Sequence, residues 1–507
     1  MYATTRAIRP TLLLAGCCLV AILASANLAD AKAPFLKPNS LVISSSTYDN
    51  SQGAVAQLQT GSQLPSAQAS TTCQPFSTAI AGNDYVNVWD NVGPDPSFGV
   101  SSAITLNDVN PNNGLVNSTL SIPSDQVATS FSSKSELGLH ISNRWYGPVL
   151  SFIGYGGAGV GALDSSNSDA VAGQDPTNPV TCFFGNTYAH PRTIVSVAQD
   201  GALAYTPSIA YGGNNGRSAF YSPDDDTYYT VGNSNNGASS SYNQGYTNPD
   251  VTQTTGLEVV NPLEWPTYNY APIPSDNSAQ ADPQFSSVSG DKAGKDSNFR
   301  GITEFNGAIY FSKGSGSNGI DTVYTVTPNL PSLSSAASAT VSVVPGFPTD
   351  TTKTSGGNFT PFGIFFANAT TMYVADEGSG NTTDQTTHAG LEKWSLVNGT
   401  WQFDYVLTNN LIGTSYTLAG YDGDYPTVTT TGLRNLAGEV KGGKVKLWAV
   451  TSTSSAAGDN GADPNEVVAI EDKLAATKLP RKEAFYVLKT PAYGTVYRGV
   501  AFVNPTN

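Results

Sequence analysis

The sequence predicts an all-β fold, and its composition gives two reasons. Charged residues make up 12% of the 507 residues, about half of the roughly 25% that is usual in soluble proteins. The chain also contains 50 Gly, 31 Pro and 25 Tyr among long Ser, Thr and Asn tracts. Tyr, Thr and Val favour half-buried strands, whereas Gly, Asn and Pro form the turns between them. Many short strands joined by turns are therefore expected.

A repeated pattern gives the third reason. Several stretches begin with Arg or Phe followed by a small or polar residue, continue as a short apolar strand, and turn into a second strand. A sixth, weaker repeat follows Ser133, and the anchors of the other five are Arg217, Arg300, Phe362, Arg434 and Arg498. Consecutive anchors are roughly 60 to 85 residues apart, which is typical of the four-stranded blades of a β-propeller.

The last repeat supplies one strand before the chain reaches Asn507. Strands near the beginning of the chain, in residues 39–49, 99–109 and 113–123, are predicted to pair with it. Such pairing would close the ring and remove an exposed sheet edge. We expect six blades, or seven if residues 50–101 contain another, in one propeller domain over residues 32–507.

Two stretches resemble a known family. PFGIFFANATTMYVADEGSG from Pro361, followed by GLEKWSL from Gly390, has the order P-x-G-I, strand, Y-V-A-D and a further strand. This order resembles the repeat of the broad NHL and gluconolactonase-like propeller superfamily. The resemblance is specific over residues 290–507, and the layout is similar to secreted propeller proteins of unassigned function. It implies the propeller fold and says little about activity, because propellers carry many functions.

Residues 1–31 have the features of a signal peptide. Arg6 and Arg9 precede the apolar run TLLLAGCCLVAILA, and ADA at residues 29–31 is a small-residue cleavage site. The alternative is a lipoprotein signal, LAGC, in which Cys17 is acylated. No later segment approaches the roughly 18 apolar residues of a membrane span. We therefore expect a secreted or periplasmic monomer without a transmembrane segment.

Charge, cysteines and glycines limit the function classes. A net charge of −15 repels phosphate groups, so binding to nucleic acid is not expected. Cys73 and Cys182 remain after signal cleavage and either form a disulfide or stay unpaired. Gly154, Gly156 and Gly159 have the spacing G-x-G-x-x-G. Because no helical pattern follows them, they predict the end of a strand and a loop rather than a dinucleotide site.

Four anchor arginines are the candidate ligand-binding residues: Arg217, Arg300, Arg434 and Arg498. Each lies where the innermost strand of a blade begins, so their guanidinium groups could converge on the channel and bind a carboxylate, phosphate or sulfate. The alternative is that each arginine ties its blade to the next through carbonyl groups and acidic side chains. Glu136, Glu304 and Asp376 are the acidic side chains considered, and Glu136 is included in the predicted ligand site.

Acidic clusters are the candidate metal ligands. Asp376 and Glu377, Asp224–Asp226, and the pair Asp422 and Asp424 could supply oxygen ligands to Ca²⁺, although none has the EF-hand spacing. The chain has no G-x-S-x-G motif, so a nucleophile elbow is not predicted. The histidines His140, His190 and His388 lie far apart and are expected to be structural. The tryptophans Trp145, Trp394, Trp401 and Trp448 are expected in blade cores, while an exposed pair would indicate a carbohydrate site.

Three functions follow from these residues. The leading hypothesis is extracytoplasmic binding of an anionic or carbohydrate ligand, or of a partner, at one end of the channel. The second is a calcium-dependent hydrolase of esters, lactones or phosphoesters, with Glu136 and Asp376 holding the metal. The third is an extracellular scaffold for protein partners without a small-molecule site.

Overall fold

Antiparallel strands account for most of the residues that the computed structural model describes. Two short helical segments are present in the described part, a 3₁₀ turn at Val55–Gln57 and a helix α1 at Leu333–Ala336. No helix in that part is long and apolar enough to cross a membrane. All described residues belong to the unit Pro34–Asn507. The structure describes residues 34–53, 55–57, 85, 88, 99–144, 147–157, 159–161, 163–164, 192–208, 211, 215–233, 256–262, 285–287, 298–314, 319–350, 359–380, 388–418, 421, 425–456 and 461–504.

The first nine strands belong to one large sheet. They are β1 Ser40–Thr47, β2 Gly99–Val109, β3 Val116–Ser121, β4 Val127–Ser130, β5 His140–Arg144, β6 Gly147–Gly156, β7 Leu163–Asp164, β8 Arg192–Val197 and β9 Leu203–Ser208. Two antiparallel meanders run through this sheet, β1-β2-β3 and β5-β6-β8-β9. Strand β4 joins the two meanders because it pairs with both β2 and β6.

Four further sheets are antiparallel meanders of consecutive strands. The first contains β10 Gly216–Ser222, β11 Thr227–Gly232, β12 Leu257–Val260 and β13 Phe285–Ser287. The second contains β14 Phe299–Phe305, β15 Ala308–Lys313, β16 Thr322–Thr327 and β17 Thr340–Val343. The third contains β18 Pro361–Asn368, β19 Thr371–Asp376, β20 Gly390–Val397 and β21 Thr400–Leu407. The fourth contains β22 Ser415–Tyr416, β23 Val428–Lys441, β24 Lys444–Ser454, β25 Val467–Lys473 and β26 Tyr486–Lys489.

The last strand, β27 Thr495–Val503, pairs with the first. Its register with β1 runs from Ser40 opposite Val503 to Thr47 opposite Thr495. Strand β27 therefore extends the meander β1-β2-β3 to four strands, in the order β27-β1-β2-β3. The three segments predicted near the beginning of the chain contain β1, β2 and β3.

Neighbouring sheets pack face to face through shared apolar clusters. Tyr229 of β11 belongs to one cluster with Phe311 of β15, and Tyr373 of β19 joins Leu447 of β24 in another. Trp448 of β24 stacks on Phe502 of β27, with ring centroids 4.8 Å apart. Stacked four-stranded meanders with buried faces form a propeller-like all-β fold, as predicted.

The glycine-rich stretch lies at the end of a strand, which confirms the prediction. Gly154 and Gly156 lie in β6, and Gly159 follows in a turn with φ of +71°. A Cβ atom on Gly154 would lie 2.7 Å from the carbonyl oxygen of Ala128 in β4. Close packing of β4 therefore accounts for a glycine at this position.

We expect Gly499→Ala to destabilise the protein, because a methyl group at Gly499 would overlap the carbonyl oxygen of Leu137, just before β5. Overpacking of this kind costs about 1–3 kcal/mol of unfolding free energy. Gly442→Asn is the matched control, since Gly442 has a φ of +59° in the turn between β23 and β24, where an Asn-Gly pair is favoured. Urea unfolding would contradict the packing argument if the two variants were equally stable.

Candidate functional site

Strands β5, β10, β14, β18, β23 and β27 contact one another in succession and are here called the innermost strands; the end at which they begin is called the top face. The anchor is the second residue of β10, β14 and β18, the fourth of β27 and the seventh of β23. In the remaining meander the equivalent position is Leu137, just before β5, which has an unusual φ of +58° for a leucine. The weaker repeat predicted after Ser133 therefore corresponds to the meander β5-β6-β8-β9.

The anchors contact one another from sheet to sheet. The amide of Gly138, which follows the anchor Leu137, donates to the carbonyl of Arg217 at 3.0 Å. Asn435, which follows Arg434, donates through its side chain to the carbonyl of Arg498 at 2.6 Å. These contacts join the anchor regions of neighbouring sheets in pairs.

Two of the predicted arginines act between sheets. The Arg217 guanidinium donates to the carbonyl of Phe299 at 2.9 Å and to the side chain of Asn298. The Arg498 guanidinium donates to the carbonyl of Phe131. Both side chains are buried. Their contacts are those of the structural alternative considered from the sequence, in which an arginine ties its sheet to a neighbour.

The other two predicted arginines surround Glu377. The Arg434 guanidinium lies 3.4 Å from the Glu377 carboxylate, and Lys134 Nζ lies 3.2 Å from it. Burial would raise the pKa of Glu377, but the positive charges of Lys134, Arg300 and Arg434 lower it to about 2. Asp463 is a further carboxylate that acts on Arg434. Glu377 is therefore an ionised carboxylate held among cationic side chains.

Lys134 is the accessible member of this cluster. Its side chain is 34% exposed, whereas that of Glu377 is 4% exposed, and Arg300 and Arg434 are buried. Burial lowers the pKa of Lys134, as do Arg300 and Arg434, while Glu377 opposes them. The Lys134 side chain is therefore partly exposed beside the buried Arg300 and Arg434, where an anion would be attracted.

Lys134 belongs to a segment, here called the central segment, that contacts residues of three different strands or loops. This central segment, residues 131–138, connects β4 to the anchor of β5. Its Leu137 carbonyl accepts from Ser44 of β1 at 3.1 Å, and its Ser133 hydroxyl accepts from Asn215 beside β10 at 3.1 Å. Lys134 reaches Glu377 beside β19. Sequence reasoning missed Lys134, although SKSEL directly before an anchor was a usable signal.

The predicted carboxylates Glu136 and Asp376 are buried and accept several hydrogen bonds. Glu136 accepts from the Thr129 hydroxyl at 2.6 Å, the Ser130 amide at 3.0 Å and the Tyr155 hydroxyl at 2.6 Å. Asp376 accepts from the Thr360 amide at 2.6 Å and hydroxyl at 2.5 Å, and from the Gly378 amide at 2.8 Å. Burial raises the pKa of Asp376 to about 6, against the effect of these donors.

The structure describes only part of the other predicted sites. Asp224–Asp226 lies in the exposed turn between β10 and β11, where Asp226 pairs with Arg144 at 3.1 Å. Within the described ranges, no group of three or more His, Cys, Asp or Glu residues is arranged to hold a metal ion. The signal peptide, Cys17, Cys73, Cys182, Trp145, His190, Asp422 and Asp424 lie outside the described residues.

The tryptophans that can be placed confirm the core prediction. Trp394, Trp401 and Trp448 are all buried. His140 is held by Ser218, with Nε2 and the hydroxyl 2.9 Å apart, and burial lowers the pKa of His140 to about 4. His140 therefore has the structural setting expected from the sequence.

His388 has a more polar setting than the sequence indicated. Its Nδ1 lies 2.5 Å from the Glu392 carboxylate, which also accepts from Trp394 Nε1 at 2.7 Å. Burial raises the pKa of Glu392 to about 7, and the contact with Glu392 raises the pKa of His388 despite burial. The rings of Phe359 and Phe403 lie about 5 Å from His388. The result is an aromatic-lined His–Glu pair on the top face.

Comparisons with known proteins find similarity at the level of structure. No family model and no curated protein matches the chain, but 18 chains of solved structures do. The hemagglutinin-neuraminidase ectodomain of parainfluenza virus 5 is 10% identical, covers 77% of this chain and 75% of its own, and has a TM-score of 0.30. A GH74 enzyme of Niastella koreensis is 10% identical, covers 79% of this chain and 57% of its own, and also has a TM-score of 0.30. Similarity this low carries no information about activity.

We expect the free energy of unfolding to fall as the pH rises from about 5 to about 8. In the folded protein Glu392 holds its proton up to about pH 7, whereas an unfolded glutamate loses it near 4.5. The folded state therefore binds more protons in this window, and raising the pH removes stability. The raised pKa values of Asp376 and His388 act in the same direction.

Glu392→Gln tests this expectation, because glutamine keeps the shape of the side chain and does not titrate. Urea unfolding gives the free energy of unfolding at about pH 5 and at about pH 8. The decrease between the two pH values should be smaller in the variant than in the wild type by about 1 kcal/mol or more. Glu471→Gln, at a half-exposed carboxylate, is the matched control and should keep the wild-type loss. Equal losses in all three proteins would contradict the role given to Glu392.

Proposed function

We propose that the protein is a binding protein that takes an anionic ligand at the centre of its top face. The observation that carries this proposal is the partly exposed Lys134 above buried Arg300 and Arg434, with Glu377 between them. A carboxylate, sulfate or phosphate bound at Lys134 would form charge-assisted hydrogen bonds with its ammonium group and would be attracted by the guanidinium groups of Arg300 and Arg434.

The net charge of the whole chain indicates that anions are attracted locally, at the proposed site, and not by the protein surface in general. The net charge is −15, which repels extended polyanions such as nucleic acids. A small ligand that reaches the centre of the top face would instead meet the field of Lys134 and the arginines below it. The proposed ligand is therefore a small or narrow anion, and the working form of the protein is a monomer.

The proposed architecture is a six-bladed ring of the NHL and gluconolactonase-like type. Supporting it, the meanders β27-β1-β2-β3 and β5-β6-β8-β9 have the strand count of blades, and contacts such as Gly138 to Arg217 and Asn435 to Arg498 link successive anchors. Strand β27 would then close the ring by pairing with β1. Export through the signal peptide of residues 1–31 is part of the same proposal.

The calcium-dependent hydrolase has weaker support. Glu377 lies among cationic side chains, which disfavour a bound divalent cation, and the oxygens of Asp376 and Glu136 already accept hydrogen bonds from neighbouring groups. Metal binding at Asp376 and Glu377 remains a hypothesis that elemental analysis of the purified protein can test. A scaffold for partner proteins is the remaining alternative.

Lys134→Ala should weaken binding of inorganic sulfate at least about tenfold at low ionic strength, because it removes the accessible charge of the site. Titration calorimetry measures the affinity, and thermal melting should show sulfate stabilising the wild type more than the variant. Lys444→Ala is the matched control, since Lys444 is 61% exposed at the opposite end of β24. Sulfate affinity that is absent from the wild type, or equal in both variants, would contradict the proposed site.

A further inference from the structure

A group of aromatic rings lies next to the proposed anion site. This tyrosine cluster contains Tyr48, Tyr85, Phe131, Tyr421, Tyr425 and Tyr493, with neighbouring ring centroids 4.9 to 6.2 Å apart. Phe131 and Tyr85 are buried at its base, whereas Tyr493 is 57% exposed. Tyr48, Tyr421 and Tyr425 are half-buried. The cluster therefore presents aromatic surface to solvent over a packed aromatic base.

The polar ends of the cluster are held by the protein. The Tyr421 hydroxyl donates to the carbonyl of Ala492 at 2.9 Å, and the Tyr425 hydroxyl donates to Asp463 at 3.0 Å. Asp463 itself is buried. The anchored hydroxyl groups hold the rings in fixed positions. A ligand that stacks on these rings would therefore cost little side-chain conformational entropy. A rigid aromatic surface is suited to the apolar faces of flat, polar ligands.

The tyrosine cluster and the cationic cluster are connected. Phe131 is part of the central segment, three residues before Lys134, which limits the separation of their Cα atoms to about 10 Å. The carbonyl of Phe131 accepts from the Arg498 guanidinium. Asp463, which accepts from Tyr425, acts electrostatically on Arg434. The buried base of the tyrosine cluster is therefore joined to the cationic cluster through the central segment and through Asp463.

We infer that the ligand is an acidic saccharide, with a sugar ring on Tyr493 and Tyr421 and a carboxylate or sulfate group on Lys134. This inference rests on the proposed function and names its ligand class. Sugars combine an apolar ring face with polar edges, and an acidic sugar adds a negative charge that can bind the Lys134 ammonium group beside Glu377. A free inorganic anion would use only Lys134, and a neutral sugar only the tyrosines.

Titration calorimetry with four probes tests the inference. The probes are inorganic sulfate, tetragalacturonate, its neutral methyl ester and a heparin tetrasaccharide. We expect at least one of the two acidic saccharides to bind about tenfold or more tightly than sulfate and than the neutral ester. Failure of both to do so would overturn the inference, while sulfate binding lost in Lys134→Ala would still support the proposed function.

Substitutions separate the two surfaces. Tyr493→Ala and Tyr421→Ala should each weaken the preferred acidic saccharide about tenfold and leave sulfate affinity unchanged, whereas Lys134→Ala should weaken both. Tyr493→Phe should retain saccharide affinity, because the ring remains. Tyr486→Ala is the matched control, since Tyr486 is 44% exposed on the outer strand β26.

Tyr421 is more buried than Tyr493, so its variant requires a check of folding. Thermal melting and near-ultraviolet circular dichroism should match the wild type for Tyr493→Ala, whose side chain is mostly exposed. If Tyr421→Ala is destabilised, the saccharide affinity of Tyr493→Ala alone tests the assignment of the tyrosine cluster. Unchanged saccharide affinity in a folded Tyr493→Ala protein would overturn the assignment of the tyrosine cluster to the ligand.

Discussion

The close approach of the innermost strands at the top face is the constraint on which the rest of the structure depends. Glycines after the anchors allow it, as at Gly499 against Leu137 and at Gly301 against Phe362. Strands this close leave little water between them, so the anchor arginines are buried and must find partners in neighbouring sheets. Arg217 and Arg498 do so through backbone carbonyls. Lys134 is the accessible positive charge of the cationic cluster around Glu377.

Much of the fold could be predicted from the sequence because its signals are local. An anchor followed by a small residue, an apolar strand and a turn can be recognised wherever it recurs, and β1, β2 and β3 lie within the segments expected to accompany the last strand. The weak sixth repeat was harder to place, because Leu137 replaces arginine there and adopts a positive φ that leucine rarely takes.

The candidate site could be predicted only in part, since its members meet through long-range contacts. Tyr48 and Tyr493 belong to one aromatic cluster only because β1 and β27 share a sheet. Lys134 meets Glu377 only because the central segment spans the top face. His388 and Glu392 lie four residues apart, a spacing that has no fixed meaning where a loop leads into a strand. Composition and motif spacing carry no information about such long-range contacts.

Asp376 and Glu377 show how surroundings decide the charge of adjacent carboxyl groups. Hydrogen-bond donors surround Asp376, and its burial prevails, so its pKa rises to about 6. Cationic side chains surround Glu377, and its pKa falls to about 2. Glu377 therefore stays ionised at ordinary pH and holds the cationic cluster together. Because burial lowers the pKa of Lys134, its ammonium group is at least as fully protonated at about pH 5 as at about pH 8. An anion such as sulfate should accordingly bind no more weakly at the lower pH.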